Sequence, residues 1–442
     1  MTMTAPTVLP PAEVHTTLGR HLLVDGFDLV LDLEASQGSR LVDARDGGSY
    51  LDLFTFFASS ALGMNHPALI GDEAFRGDLL SAAMNKPSNS DIYTVAMARF
   101  VDTFARVLGD PALPHLFFVE GGALAVENAL KVAFDWKSRW NESHGIDSAL
   151  GTKVLHLEHA FHGRSGYTLS LTNTDPVKVA RFPKFEWPRI PAPYVGSGRD
   201  VEAAEHATLD AARAAFEAHP HDIACFVMEP IQGEGGDHHF RPEFLQAMQS
   251  LCHEHDALFV LDEVQTGCGL TGSAWVYQQL GVTPDVVAFG KKTQVCGVMA
   301  GGRVDEVPDN VFTVGSRINS TWGGSLTDMV RSRRILEVIE TDGLIERAAL
   351  AGAELRRLLD ELALRHDVVS DVRGRGLMCA FSLPDGATRD RVVTALREDE
   401  RVLLLGCGTR SIRFRPALTV SLADLEAGVA ALDRVLAKES RS

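Results

Sequence analysis

The sequence predicts an α/β fold in which helices cover both faces of a mostly parallel sheet. The main observation is a series of apolar runs, each as long as a buried strand, at 115–119, 154–157, 223–228, 258–261 and 286–289. Helical or loop stretches separate these runs, which is typical of a parallel sheet that is buried on both faces. After the first run, Val126, Ala129, Leu130 and Ala133 recur at helical spacing.

The length and the texture of the chain predict two domains. A chain of 442 residues exceeds the usual size of one hydrophobic core. Beyond about residue 330 the sequence becomes more charged and helix-rich, with strand-like pieces at 368–376 and 411–416 and an amphipathic helix at the end. We expect a large domain over 76–330 and a smaller α+β domain over 331–442. The N-terminal segment 1–75, with strand-like pieces at 29–33 and 49–54, is expected to join the smaller domain.

The composition excludes several classes of partner. The net charge of −17, with no basic tract, argues against nucleic acid and anionic membranes. No apolar run approaches the length that spans a bilayer, and the start of the chain lacks the pattern of a secretion signal. The six cysteines are scattered without the spacing of metal ligands, which favours a reduced cytoplasmic protein that has no metal site.

A lysine and an acid follow the ends of two successive predicted strands. Lys291 comes just after the run at 286–289, and Asp262 ends the run before it. Ligands of open α/β sheets bind at the carboxyl ends of the parallel strands. A lysine amine can hold an aldehyde cofactor as a Schiff base, while an acid keeps the ring nitrogen of that cofactor protonated. The pair therefore predicts pyridoxal 5′-phosphate, although a doublet such as Lys291 and Lys292 most often lies on the surface.

Other strand ends carry residues that suit the same cofactor. Gly121 and Gly122, between a strand and a long helix, direct backbone N–H groups at a phosphate, but such a pair is more often only a tight turn. Phe161 could stack on a flat ring and Arg164 could clamp a carboxylate, or both belong to an ordinary loop. Gln265 could donate a hydrogen bond to the cofactor from the loop after Asp262.

A possible charge pair lies further along the chain. Arg413 is flanked by apolar residues on a predicted strand, so it needs a partner if it is buried. Glu234, in the glycine-rich segment 232–236, which is expected to be a flexible loop, could supply that partner. The alternative is two unrelated surface charges.

Together these motifs make the sequence similar to the class III (ω-) aminotransferases, a family of fold-type I pyridoxal-phosphate enzymes. The resemblance is carried by the blocks 121–131, 161–163, 229–236, 262–267 and 289–291. It implies a large domain with a seven-stranded, mostly parallel sheet, and a homodimer with the active site at the interface. The residues that it assigns to the cofactor are Lys291 as the Schiff-base lysine, Asp262 at the ring nitrogen, Phe161 and His162 at the ring, Gly122 and Ala123 at the phosphate, Gln265 at the ring oxygen, and Thr321 reaching the phosphate from the partner subunit.

Departures from the common family pattern resemble the lysine 6-aminotransferases. Ala123 lacks the hydroxyl of many relatives, and Lys292 occupies a position that the family does not require to be lysine. The implied reaction converts L-lysine and 2-oxoglutarate into 2-aminoadipate 6-semialdehyde, which cyclises, and L-glutamate. Arg164, Glu234, Gln265 and Arg413 are the implied substrate-binding residues, and Glu234 covers Arg413 while lysine is bound. Ornithine, acetylornithine and 4-aminobutyrate remain alternative amine donors.

Overall fold

The computed structural model describes residues 9–439. Residues 1–8, on which the expectation about a secretion signal partly rests, and residues 440–442 lie outside the described range. The strands are Leu31–Gln37, Arg40–Asp43, Ser49–Asp52, His115–Val119, Lys153–Leu157, Arg189–Ile190, Ile223–Met228, Ile231–Gln232, His238–His239, Leu258–Asp262, Val286–Phe289, Cys296–Ala300, Ser370–Arg375, Met378–Ser382, Val402–Leu403, Leu405–Cys407 and Ser411–Phe414.

Helices cover the sheets, and short 3-10 turns occur at several loops. The helices are Val14–Leu18, Thr55–Ala58, Pro67–Ile70, Glu73–Met84, Val95–Val107, Gly122–Ser143, Thr168–Leu171, Pro176–Val179, Val201–Ala218, Gly233–Gly236, Pro242–Glu254, Leu326–Thr341, Leu344–Arg365, Gly386–Glu398 and Leu422–Glu439. The 3-10 turns are Pro11–Glu13, Val276–Gln279, Lys291–Thr293 and Gly302–Glu306. Within residues 9–439, no helix is long and apolar enough to cross a membrane.

The central sheet has seven strands and is parallel except for one of them. Its spatial order is His115–Val119, Cys296–Ala300, Val286–Phe289, Leu258–Asp262, Ile223–Met228, Lys153–Leu157 and Arg189–Ile190. Cys296–Ala300 runs antiparallel to both of its neighbours. This arrangement confirms the predicted mostly parallel sheet. The sequence interpretation missed the antiparallel strand, because its cysteine, glycine, methionine and alanine give little β signal.

The register of the sheet brings two strand ends together. Asp262 pairs with Ala288 across the parallel strands Leu258–Asp262 and Val286–Phe289. Lys291 follows Ala288 by three residues, so its side chain begins at the same edge of the sheet as that of Asp262. The long helix Gly122–Ser143 covers one face of the sheet and buries the predicted stripe of Val126, Ala129, Leu130 and Ala133.

Smaller sheets combine both ends of the chain. Ser49–Asp52 pairs in parallel with Val402–Leu403, which attaches the N-terminal strands to the C-terminal region. A second four-stranded sheet has the order Ser370–Arg375, Met378–Ser382, Ser411–Phe414 and Leu405–Cys407. These pairings support the expected division at about residues 75 and 330, which stays a prediction.

The helical turn Thr55–Ala58 is left-handed. Its four residues have φ values of 42°, 51°, 59° and 69°, a conformation that costs side-chain-bearing residues about 1–2 kcal/mol each. Asp52 accepts hydrogen bonds from Phe54 N and Thr55 N at 3.0 and 2.8 Å, and Lys292 Nζ donates to the carbonyl oxygen of Ala58 at 2.8 Å. The strand expected at 49–54 therefore ends at Asp52, because Asp52 turns the chain.

Candidate active site

A cavity of about 940 Å³ opens at the carboxyl ends of the parallel strands. Of the predicted site residues, those that line it are Gly122, Ala123, Phe161, His162, Asp262, Gln265 and Lys291. They come from four separate segments of the chain, and the sheet topology brings them together. The lining also includes Ser59 and Ser60, which follow the left-handed turn, and Glu229, which follows the strand Ile223–Met228.

Asp262 is a buried carboxylate whose orientation is fixed. His162 Nδ1 donates to Asp262 Oδ2 at 2.8 Å, and Val264 N donates to Asp262 Oδ1 at 3.0 Å. The next acid, Glu263, points to the other side of the strand, where it accepts hydrogen bonds from Val276 N and Tyr277 N. Because side chains alternate along a strand, only Asp262 of these two acids faces the cavity.

Lys291 has the environment of a reactive lysine. Burial, together with the nearby Arg413 and Arg415 guanidinium groups, lowers its pKa to about 8, although Asp262 and Glu229 act in the opposite sense. Its backbone lies in the left-handed region at φ 56°, at the start of the turn Lys291–Thr293. The amine is therefore held beside two carboxyl groups and can lose its proton near neutral pH.

Lys292 points away from the cavity and has a structural role. Its side chain is 2% exposed, and Nζ donates to the Ala58 carbonyl rather than lining the cavity. Burial lowers its pKa to about 7. The two lysines of the doublet therefore divide between a cavity residue and an anchor of the left-handed turn.

The junction at Gly121 and Gly122 fits a phosphate group. Gly121, at φ 101°, begins the helix Gly122–Ser143 without a side-chain cap, so no side chain competes for the amides of the first turn. A Cβ atom at Gly122 would lie 2.9 Å from a methyl carbon of Val264. A Cβ at Gly163 would lie 2.4 Å from the Cβ of Ala123. Small residues are thus required where the helix start faces the two cavity loops.

Gln265 is tied to a buried ion pair that sequence reasoning did not single out. Its Oε1 accepts a hydrogen bond from Arg415 Nε at 2.9 Å. Arg415 also forms a bidentate pair with Asp237, and the two side chains are 1% and 0% exposed. Arg415 lies two residues after Arg413. Alternation along a strand places both arginines on the same face, so the sequence could not tell which arginine would pair with which acid.

Glu229 is a second residue that sequence reasoning missed as a site residue. Its carboxyl oxygens accept hydrogen bonds from Phe161 N at 2.9 Å and Gly233 N at 3.2 Å. Burial, and then the nearby Asp262 carboxylate, raise its pKa well above the usual value for a glutamate. The strand-end rule that identified Asp262 and Lys291 would also have identified Glu229, which directly follows Ile223–Met228.

Glu234 and Arg413 form the expected pair, and a lysine joins them. Arg413 Nη2 donates to Glu234 Oε2 at 3.0 Å, and Lys178 Nζ donates to Glu234 Oε1. Burial opposes ionisation of Glu234, but the two cations outweigh it, so its pKa lies below the usual value. Arg413 is only 3% exposed, and among the described residues its Nε and Nη1 atoms have no hydrogen-bond partner.

Arg164 and Thr321 lie apart from the cavity lining. Both are exposed, and neither is among the residues that line the cavity within this subunit. The roles assigned to them by resemblance, a substrate-carboxylate site and a phosphate contact to the partner subunit, stay predictions.

The fold and the cavity are those of an aminotransferase, and the sequence comparison identifies the family. The profile of the family described as aminotransferase class III matches residues 25–436, so the chain belongs to the class III aminotransferases. This confirms the resemblance inferred from the motifs.

The similarity to individual proteins extends over nearly the whole chain. The chain is 69% identical over 430 residues to the L-lysine-epsilon aminotransferase of Mycobacterium tuberculosis, covering 96% of each protein. It is 61% identical over 433 residues to the L-lysine-epsilon aminotransferase of Amycolatopsis lactamdurans, again covering 96% of each. The solved structure of the lysine aminotransferase from M. tuberculosis matches with a TM-score of 0.96 and 68% identity, over 97% of this chain and 100% of that one.

Proposed function

We propose that this enzyme transfers the terminal amino group of L-lysine to 2-oxoglutarate, giving 2-aminoadipate 6-semialdehyde and L-glutamate. The semialdehyde then cyclises to piperideine-6-carboxylate. The observation that carries the proposal is the 69% identity, over almost the full length, to an L-lysine-epsilon aminotransferase. The charge pair beside the cavity adds a chemical argument, because Glu234 is bonded to Arg413 in the resting site, which suits a first substrate with a single carboxylate.

The residues around the cavity fit pyridoxal 5′-phosphate, the cofactor of this family. Lys291 and Asp262 lie on the same sheet edge, Phe161 lines the cavity, and the uncapped helix start at Gly121 can receive a phosphate. His162 Nε2 is buried and lacks a partner among residues 9–439. When bound, the cofactor supplies an aldehyde that takes up an amino group and a ring that accepts the electrons of the broken C–H bond.

Lys291 serves as the group that moves the proton. With the cofactor bound, its Nζ would take the proton from the lysine carbon that carries the terminal amine and would return it at the cofactor carbon that receives the amino group. For this the amine must be neutral part of the time, and a pKa near 8 leaves a usable neutral fraction at physiological pH. Glu229 and Asp262 favour the protonated form of Lys291 and thus support the return of the proton.

Asp262 would hold a proton on the ring nitrogen of the bound cofactor. Its carboxylate is kept in place by His162 and by Val264 N, so it does not reorganise when the ring accepts electrons. Gln265 is held by Arg415 and lies on the loop that follows Asp262, where it can contact the ring oxygen of the cofactor.

Two substrates of different charge use the same cavity in turn. While lysine is bound, Glu234 neutralises Arg413, and Arg164 holds the distal carboxylate of lysine. With 2-oxoglutarate, Glu234 leaves Arg413, which then binds the carboxylate next to the ketone, and Arg164 takes the other carboxylate. The free Nε and Nη1 atoms of Arg413 provide donors for such a carboxylate.

The enzyme is proposed to act as a homodimer with Thr321 reaching the partner's cofactor. The exposed apolar residues include Phe57, beside the cavity-lining Phe56, and Trp322, beside Thr321. Lys86 lies 3.6 Å from the ring centroid of Trp322, and Ser90 donates to the Ser320 carbonyl at 2.6 Å, so the exposed Met84, Ile92 and Tyr93 flank the Thr321 segment. Exposed apolar patches of this kind mark association surfaces.

Mixing two inactive variants tests the shared site. A dimer that pairs a Lys291→Ala subunit with a Thr321→Val subunit has one site with both native residues if Thr321 acts across the interface. Co-expression with two different tags, followed by purification of the mixed dimer, should then give activity above either parent. No gain would place Thr321 in its own subunit's site.

The cytoplasmic location expected from the cysteines stays a prediction.

A panel of amine donors tests the substrate. The purified enzyme is incubated with 2-oxoglutarate and, separately, L-lysine, ornithine, acetylornithine or 4-aminobutyrate, and glutamate and the cyclic product are measured. We expect lysine to give the highest kcat/KM. A higher value for one of the other donors would replace lysine as the substrate and leave the class of reaction unchanged.

A further inference from the structure

The carboxylate of Glu234 is shared between two cations that belong to different parts of the fold. Arg413 lies on the strand Ser411–Phe414 of the C-terminal region, and Lys178 lies on the short helix Pro176–Val179 of the large domain. Arg413 Nη2 bonds one carboxylate oxygen at 3.0 Å, and Lys178 Nζ bonds the other. The arginine side chain is 3% exposed, whereas the lysine side chain is 27% exposed.

The backbone around Glu234 is closely packed, so only the side chain of Glu234 is free to move. A Cβ at Gly233 would lie 2.3 Å from Gln265 Oε1, and a Cβ at Gly235 would lie 2.1 Å from the His159 carbonyl oxygen. Gly408 N also donates to the Glu234 carbonyl at 2.8 Å. The glycines that suggested a flexible loop are therefore required by close contacts. The exchange of carboxylates at Arg413 therefore requires rotation of the Glu234 side chain.

The charges show where that side chain can go. If Glu234 released Arg413 without another partner, a largely buried carboxylate would be left unpaired, which is strongly unfavourable. Lys178 already contacts the far oxygen and needs only to keep it. Its Nζ lies 5.8 Å from the ring centroid of Phe161, so it is held beside the cavity wall and not in open solvent.

We propose that Lys178 is a positioning residue for the second substrate, because it retains the Glu234 carboxylate when Arg413 turns to the carboxylate of 2-oxoglutarate. This inference rests on the proposed use of 2-oxoglutarate, though not on the identity of the amine donor. In the resting site Glu234 has two cationic partners, and in the exchanged site it has Lys178 alone. Loss of Lys178 therefore harms the exchanged site more than the resting one.

The test compares Lys178→Met with Lys184→Met. Lys184 lies shortly after the helix that carries Lys178, but its Nζ donates to the Val179 carbonyl at 2.9 Å and contacts no acid of the site. Binding of glutarate, a dicarboxylate without the reacting ketone, is measured on the cofactor-loaded enzyme by calorimetry. Stopped-flow absorbance follows the two half-reactions separately. We expect Lys178→Met to weaken glutarate binding and the 2-oxoglutarate half-reaction about tenfold, the effect of a lost charge-assisted hydrogen bond. The lysine half-reaction and the Lys184→Met variant should change less than about twofold.

A double variant separates positioning from a structural role. In the Glu234→Gln background there is no carboxylate to retain, so adding Lys178→Met should have little further effect on glutarate binding. Lys178→Arg should restore most of the binding. Equal losses in both half-reactions, or a full Lys178→Met effect in the Glu234→Gln background, would overturn the proposal. Failure of the wild type to use lysine would instead count against the proposed amine donor, since glutarate binding does not depend on it.

Discussion

The site has a cofactor end within the cavity lining and a substrate end, the cluster of Glu234, Arg413 and Lys178, outside that lining, and the two are built in different ways. At the cofactor end, Asp262, Glu229 and Lys291 project from the carboxyl ends of neighbouring strands, and backbone N–H groups or His162 fix both acids. At the substrate end, Glu234 joins Arg413 from another sheet with Lys178 from a short helix, and two nitrogen atoms of Arg413 have no partner among residues 9–439. The acids of the first arrangement are held by fixed hydrogen bonds, while in the second arrangement Arg413 keeps two donors that are unpaired within the described part of the chain.

The difference follows the chemistry that each end performs. The cofactor stays throughout the reaction, so groups that are oriented in advance lower the barrier without reorganising. The substrates alternate between a cationic amine donor and a dianionic acceptor. A charge pair that can exchange partners suits this alternation, because each cation and anion stays paired in both states.

The largest effect is expected at the cofactor end, from Lys291→Ala. Transamination should fall at least about 10³-fold, because the same amine holds the cofactor and moves the proton. The visible absorbance of the lysine-linked cofactor should also disappear. Lys292→Met is the matched control and should keep that absorbance, since Lys292 Nζ bonds the Ala58 carbonyl and not the cavity. Loss of the absorbance in Lys292→Met alone would reverse the assignment of the doublet.

Asp262→Asn should have the next largest effect, a decrease in kcat of about 10²-fold to 10³-fold, because an amide cannot hold the proton on the ring nitrogen as a carboxylate does. Asp285→Asn provides a matched control. Asp285 is also buried, accepts from a backbone N–H at 2.8 Å and lies 3.1 Å from a histidine nitrogen, but it precedes the strand Val286–Phe289 at the opposite edge of the sheet. The Asp285→Asn variant should have a lower melting temperature and a kcat within about twofold of the wild type. Similar kcat losses in both variants would mean that Asp262 acts only through stability.

At the substrate end, Glu234→Ala should change the two half-reactions unequally. Without Glu234, Arg413 stays uncovered, so the lysine half-reaction should slow about tenfold while the 2-oxoglutarate half-reaction changes little. Stopped-flow measurements of each half-reaction check this. Glu205→Ala removes a buried glutamate that is paired with an arginine, Arg241, outside the cavity lining, and should affect neither. Equal losses in the two half-reactions of Glu234→Ala would contradict the proposed exchange of partners at Arg413.

The smallest effect is expected from Lys292, which anchors the left-handed turn behind the cofactor end. Burial lowers the pKa of Lys292 from 10.5 to about 7, so between about pH 7 and 10.5 the unfolded chain binds more protons at this residue than the folded one. This residue therefore makes the free energy of unfolding rise with pH across that window. In Lys292→Met the rise between pH 7 and 9 should be smaller by on the order of 2 kcal/mol, measured by urea unfolding. Lys184→Met, which removes an exposed lysine, should keep the wild-type slope. An unchanged slope in Lys292→Met would show that Lys292 stays charged when buried.

Sequence reasoning succeeded where a residue's role follows from its place at a strand end. The runs before Asp262 and Lys291 are apolar and continuous, and the parallel register places both residues at one edge. The same rule applied to Glu229, which was overlooked because the prediction considered Glu229 only as part of a family block. The strand Cys296–Ala300 escaped prediction because its residues favour no particular element.

Other features were beyond a local pattern. Nothing near Lys178 in the sequence indicates that it meets Glu234, since the two are 56 positions apart and meet only when the loop folds over Phe161. The left-handed turn Thr55–Ala58 has no glycine and would be rejected on local sterics alone. Asp52, just before the turn, and Lys292, from a distant part of the chain, stabilise it.

The sequence by itself determined the α/β class, the strand-end pair of Lys291 and Asp262, the family and the cofactor. These depend on short apolar runs and on residue types at fixed spacing, both of which are local properties. Only the tertiary structure decided that Lys292 anchors the left-handed turn, that Glu229 joins Asp262 at the cavity, and that Glu234 has two cationic partners. Those outcomes depend on burial and on contacts between distant segments, where the cost of an unpaired charge selects the arrangement.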